Sequence, residues 1–126
     1  MRAVDTNVLV RLITRDDVRQ ATAAESFVVT GAWVGHLVLA EMTWVLSAVY
    51  DLSPAAIATA VEMLLNHQNL TIQDAEVVAT ALEHYRRNPR VSFSDCLVLE
   101  IARKAGHLPI GTFDRQLARL DGAHRL

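Results

Sequence analysis

Apolar residues along the chain come in short runs separated by longer stripes at helical spacing, which predicts strands alternating with helices. Ala3-Val4 is a brief apolar pair and reads as a first strand ending at Asp5-Thr6-Asn7. Val8, Leu9, Leu12 and Ile13 then recur helically, with Arg11 and Arg15 on the polar side. Asp16-Asp17 starts a second helix carrying Val18, Ala21, Ala24 and Val28, and Gly31 ends it. Trp33-Val34 predicts another strand, and Val38, Met42, Val45, Leu46 and Val49 form the stripe of a third helix running to Tyr50.

Ser53-Pro54 is a helix start, the hydroxyl acting as N-cap and the proline filling the first turn. Ile57, Val61, Leu64 and Leu65 line that helix, and Leu70-Thr71-Ile72 follows as a strand. Asp74 opens the next helix, with Val77, Val78, Ala81, Leu82 and Tyr85 inside, closing in Arg86-Arg87-Asn88-Pro89. A further helix begins near Ser94-Asp95 and ends at Lys104-Ala105-Gly106. Pro109-Ile110-Gly111 reads as the last strand, and Asp114 opens a short helix through Leu117 and Leu120.

Strands alternating with helices specify the α/β class, a short parallel sheet with helices on both faces. No repeat or flexible linker interrupts the 126 residues, so one domain spanning 1–126 is expected. The hydrophobic fraction, 52%, excludes intrinsic disorder and should leave apolar patches for a dimer seam or a partner helix. A formal net charge of −2 excludes a generally cationic surface. The single cysteine, Cys96, excludes an intrachain disulfide and suits a cytoplasmic protein. The run Ala32 to Tyr50 is long enough to cross a bilayer, but Glu41 would sit mid-span, so a strand and a buried helix are the better reading. Trp33, Trp44 and Phe27 fall at core spacing and are expected to pack.

Four acidic residues stand out: Asp5, closing the first strand; Glu41, inside the apolar third helix; Asp95, at a helix start; and Asp114, after Gly111-Thr112-Phe113. Each aspartate has a plain explanation as a helix cap, and Glu41 as a residue at the polar edge of its helix. In parallel sheets the working crevice lies beyond the carboxyl ends of the strands, where Asp5 and Asp114 fall. Carboxylates converging there would repel unless a hard divalent cation, Mg²⁺ above all, were shared among them. Such a site suits phosphoester hydrolysis, the metal making water nucleophilic and neutralising charge at phosphorus.

The segments Val4-Asp5-Thr6-Asn7-Val8-Leu9-Val10, His36 through Leu46, Phe93-Ser94-Asp95-Cys96-Leu97 and Gly111-Thr112-Phe113-Asp114 together resemble the PIN-domain ribonucleases, and most closely the VapC-type toxins of toxin–antitoxin pairs. The resemblance implies a three-layer α/β/α sandwich and a Mg²⁺-dependent (or Mn²⁺-dependent) endoribonuclease with Asp5, Glu41, Asp95 and Asp114 as catalytic and metal-binding residues. Thr6, Asn7, Thr112 and Ser94 then neighbour those carboxylates as hydrogen-bonding supports. It also implies an RNA substrate, a homodimer and a VapB-like antitoxin. Gly35 stands where relatives often have serine, and Ser92 where many have an acid.

Among the eleven arginines, Arg11, Arg15 and Arg115 are expected nearest the acidic site as RNA-phosphate contacts. Histidines show no zinc-binding spacing, and no histidine is placed to activate Cys96. Three rivals remain: a receiver-like, Mg²⁺-binding phospho-accepting module, an aspartate-nucleophile phosphohydrolase, and a non-catalytic PIN-like RNA-binding protein. The first needs a paired acid beside Asp5 and a lysine at a late strand end, whereas Lys104 sits at a helix end; the second needs an aspartate where Asn7 stands.

Overall fold

The structure, a computed structural model, describes residues 1–126. They gather into two compact units, Met1–Ala75 and Glu76–Leu126. The first unit holds β1 (Arg2–Ala3), α1 (Thr6–Thr14), α2 (Val18–Val28), β2 (Ala32–Val34), α3 (His36–Ala48), α4 (Pro54–Leu65) and β3 (Leu70–Ile72). Its strands form one parallel sheet in the order β1-β2-β3, with Arg2 opposite Ala32, and Ala32 to Val34 opposite Leu70 to Ile72. Each crossover is a pair of helices, as parallel neighbours require a long connection, so the strands' carboxyl ends share one edge. Ala32 and Val34 are buried while Trp33 between them faces out, and Leu70, Thr71 and Ile72 repeat the alternation. Leu9, Leu39, Met42, Leu46 and Val61 are fully buried and form the heart of this unit.

The helix starts follow local chemistry. Asp17 caps α2 by accepting from the Gln20 N–H at 3.0 Å, and Ser53 caps α4 through the Ala56 N–H at 3.2 Å with Pro54 next in line. Gly31 then turns the chain into β2 at φ +95°, a conformation glycine adopts without steric cost.

In the second unit, α5 (Ala75–Arg87, its first residue at the boundary) is followed by α6 (Phe93–Ala105), β4 (Ile110–Thr112), a single 3₁₀ turn (Leu117–Arg119) and β5 (Ala123–Arg125). Val78, Ala81 and Tyr85 of α5, and Phe93, Cys96 and Leu99 of α6, make its core. The Tyr85 and Phe93 rings meet edge-on at 5.9 Å. Glu100 is buried there, its carboxyl group held by His84 Nε2 at 3.1 Å and Arg103 Nε at 3.1 Å. A buried carboxylate needs such partners.

The α/β class, the six helices and the parallel strands agree with the sequence reading. Several details differ. The strand expected at Pro109–Gly111 lies at Ile110–Thr112 and pairs in parallel with β5, a strand the sequence did not announce. The helix expected after Asp114 is only the 3₁₀ turn, and Ser92, two residues before Ser94, caps α6. Trp44 is 64% exposed and Trp33 40%, so neither is a core residue. On α3, apolar nearly all round, periodicity could not tell which side would be covered. The long apolar run divides into β2 and the 13-residue α3 as expected, and no helix is long and apolar enough to cross a membrane.

Candidate functional site

Two of the four acidic candidates, Asp5 and Glu41, belong to the first unit, and two, Asp95 and Asp114, to the second. Asp5 follows β1 and is the N-cap of α1, its Oδ1 accepting from the Val8 N–H at a long 3.3 Å. Glu41 lies mid-way along α3, exposed, its carboxylate bonded to nothing. Asp95 is the third residue of α6, and the cap there is Ser92, whose Oγ accepts from the Asp95 N–H at 3.1 Å. The Asp95 carboxylate therefore does no capping and is half-exposed without a hydrogen-bond partner. Asp114 Oδ1 accepts from the Gln116 and Leu117 N–H groups, each at 2.8 Å, which shapes the turn before the 3₁₀ segment.

Capping thus accounts for Asp114, weakly for Asp5 and not for Asp95, while the exposed Glu41 agrees with its plain explanation at the polar edge of α3. None of the four is in an ion pair, whereas Asp16, Glu25 and Glu100 each hold an arginine. Their donor set is oxygen only, the set a hard divalent cation takes. No three acidic, histidine or cysteine side chains are grouped to hold a metal ion. Mg²⁺ does not demand such a group, since it keeps several waters and binds through one or two carboxylates together with substrate phosphates.

The neighbouring polar residues act mainly through the backbone. Thr112 Oγ1 accepts from the Asp114 N–H at 3.0 Å, so it fixes the turn and not the carboxylate. Ser94 Oγ meets Ser92 Oγ at 3.2 Å and leaves Asp95 alone. Thr6 is buried at the start of α1, and Asn7 faces a groove between α1 and α2 beside Arg11 and Phe27.

A residue the sequence reading passed over, Gln73, holds the start of the helix that carries Glu41. Gly35 offers α3 no side-chain cap, and Gln73 Oε1 accepts from the His36 N–H at 2.9 Å in its place. His36 Nε2 also lies 2.7 Å from the Gln73 carbonyl. Nothing local signals this role, because the partners are 37 residues apart. Ser92, by contrast, was legible: Ser92-Phe93-Ser94-Asp95 has the spacing of a hydroxyl cap and an acid three residues on.

Of the arginines favoured for phosphate, two are already engaged. Arg11 donates to Gln20 Oε1 at 2.5 Å, Asp16 Oδ1 at 2.8 Å and Tyr50 Oη at 2.9 Å. Hydrogen bonds from Thr14 and Tyr50, with Arg11 alongside, hold the Asp16 carboxyl below the usual carboxylate range. Arg15 pairs with Glu25. Arg115 is exposed and has no such partner.

Cys96 is fully buried, and burial, with the charges of Asp95 and Glu100 behind it, pushes its thiol up to about 12. A protonated, inaccessible thiol is no nucleophile. Iodoacetamide is accordingly expected to leave Cys96 unmodified in the folded protein and to alkylate it once denaturant unfolds the chain. Rapid native alkylation, followed by mass spectrometry, would contradict this packing.

A family model described as the PIN domain matches residues 2–123 of the chain. The chain belongs to the PIN-domain family. No curated protein and no solved structure gives a match. PIN domains are in general nucleases that use divalent metal ions, which places this PIN domain among phosphodiester hydrolases and favours the nuclease over a phospho-accepting receiver.

Proposed function

We propose that this PIN domain is a metal-dependent endoribonuclease, the toxin of a VapBC-type toxin–antitoxin pair, in which Asp5, Glu41, Asp95 and Asp114 provide the carboxylate oxygens for Mg²⁺ or Mn²⁺. The observation that carries the reading is the contrast among the acids. Asp16, Glu25 and Glu100 each hold an arginine and Glu76 holds Lys104, whereas these four, like Asp51, Glu83 and Asp121, hold no cation. What sets these four apart is that they stand on the four segments that resemble the family, and among them capping serves only Asp114 and, weakly, Asp5.

The bound ion would supply Lewis acidity toward water and the scissile phosphodiester. The protein's own part is placement. Ser92 sets the start of α6, so Asp95 stands in its first turn. Thr112 and the two N–H groups held by Asp114 Oδ1 fix one face of that carboxylate and leave Oδ2 open. Gln73 anchors α3, and Glu41, five residues beyond His36, sits about 7.5 Å along the helix axis from it. Arg115 is the one of the three favoured arginines left open for a backbone phosphate.

Exposed Leu37 and Trp44 on α3, 81% and 64% accessible, and the apolar groove lined by Val8, Ala23, Ala24 and Phe27 give surfaces for a second protomer and an antitoxin helix. The expected location is the cytoplasm, with RNA as substrate. The purified protein should cleave RNA with Mg²⁺ or Mn²⁺, stop when EDTA is added, and resume on restoring excess metal. RNA that stays intact at every metal concentration, or a stable aspartyl-phosphate after incubation with acetyl phosphate, would rule the reading out.

A further inference from the structure

Within the second unit, Arg87, Arg90 and Arg119 line a single cavity of about 220 Å³ with Asn88 and Gln116. Arg11, Arg15 and Arg103 each hold a carboxylate, but Arg87, Arg90 and Arg119 hold none. Other arginines that hold no carboxylate, Arg19, Arg115 and Arg125, do not line this cavity. Like charges facing one space raise its potential, and that potential favours an anion entering it. Arg87, in the last turn of α5, is where a cation complements the helix's negative end. That explanation does not reach Arg90, beyond the helix, or Arg119, in the 3₁₀ turn.

Hydrogen bonds hold the backbone of both walls of the cavity. Asn88 Nδ2 donates to the His84 carbonyl at 3.0 Å and the Val91 N–H to the Asn88 carbonyl at 2.9 Å, closing the end of α5. On the other wall the Gln116 N–H is held by Asp114 Oδ1. The walls are therefore the segments that lead into Ser92 and α6, and out of the Asp114 turn. A ligand in the cavity adjoins, along the chain, two of the acidic candidates.

We infer that Arg87, Arg90 and Arg119 form a phosphate-binding subsite that takes a backbone phosphate of single-stranded RNA next to the bond to be cut. Guanidinium forks match the two non-bridging oxygens of a phosphodiester, and Gln116 adds an amide at the rim. The choice of RNA as the polymer rests on the nuclease reading; the cationic cavity does not.

The test measures binding of a fluorescent single-stranded RNA in EDTA, where metal-dependent cleavage is off, from about 50 to 200 mM salt. The double variant Arg90→Gln/Arg119→Gln is compared with Arg90→Lys/Arg119→Lys and with Arg19→Gln/Arg125→Gln, a control at exposed arginines outside the cavity. The glutamine pair should weaken binding about tenfold or more at low salt and flatten the log–log salt slope by about 1.4, roughly 0.7 per lost contact. The lysine pair keeps the slope and loses only part of the affinity, and the control should change neither by as much as the glutamine pair does. Circular dichroism and melting confirm that each variant is folded.

Unchanged affinity and slope in the glutamine pair, or an equal loss in the control, overturns the subsite. So does displacement of RNA by inorganic phosphate, or by an acidic peptide, that the glutamine pair leaves unaltered. A wild-type protein that binds RNA through these arginines yet never cleaves it with metal would defeat the endoribonuclease and leave the subsite standing; active cleavage with indifferent arginines would do the reverse.

Discussion

Asp95→Asn is expected to lower metal-dependent RNA cleavage by on the order of 10²–10³-fold or more, the scale seen when one preorganised electrostatic group is removed from an active site. The same variant should fold. Ser92 Oγ, and not Asp95, closes the start of α6, so its bond to the residue-95 N–H survives. Asparagine keeps the volume and loses the charge. What the variant gives up is the favourable placement of an acid in a first helical turn, worth about 0.3–1 kcal/mol. For a chain of this size that lowers the melting temperature by no more than about 4–5 °C. Cleavage and melting measured together separate the readings: a carboxylate that only decorates the helix start would shift melting slightly and leave cleavage within about threefold of wild type. That second outcome removes Asp95 from the mechanism. Asp5→Asn runs the same comparison where a cap is present, since asparagine caps a helix as well as aspartate. The Val8 N–H stays satisfied, and lost cleavage then reports the charge alone.

What could be read from the sequence follows how far each determinant reaches along the chain. Helix α4 is announced by Ser53-Pro54, and α6 is ended by Gly106 in the left-handed region at φ +84°; both signals are local and both appear. Strand β5 was invisible because Ala123-His124-Arg125 has one apolar residue and is largely exposed, so only its pairing with β4 defines it. Trp44 was misplaced because a helix rich in apolar residues on every side carries no directional pattern. The acids were legible as residue types in context, but their capping duties were not. Aspartate at a helix start looks the same whether it holds an N–H, as Asp114 does, or holds nothing, as Asp95 does. The arginines show the limit most plainly. Arg11 was favoured for its closeness to Asp5, yet Tyr50, 39 residues away, is among the groups that occupy it. Arg87, Arg90 and Arg119 gained a common role only when the chain brought the 3₁₀ turn to the end of α5.

Phe93→Ala is expected to cost about 3–5 kcal/mol, the range for truncating a buried phenylalanine. Phe93 is 2% exposed, and its ring meets Tyr85 edge-on at 5.9 Å, a contact that adds about 0.5–1.5 kcal/mol to the burial itself. Against a usual total of about 5–15 kcal/mol, a loss of that size takes a large part of the stability. Urea titration would show it as a lower midpoint. Phe93 is also the first residue of α6, two before Asp95, so its ring adds packing at the start of the acid's helix to the polar tie that His84 and Glu100 make further along α5 and α6. Phe93→Leu keeps most of the volume, should lose markedly less, and should cleave RNA at the wild-type rate wherever it is folded. Phe93→Ala should be active only in proportion to its folded fraction, and its Cys96, next to the vacated space in the α6 core, should become open to alkylation. A Phe93→Ala protein with an unchanged urea midpoint would mean that the ring does not anchor α6, and that the position of Asp95 is set elsewhere.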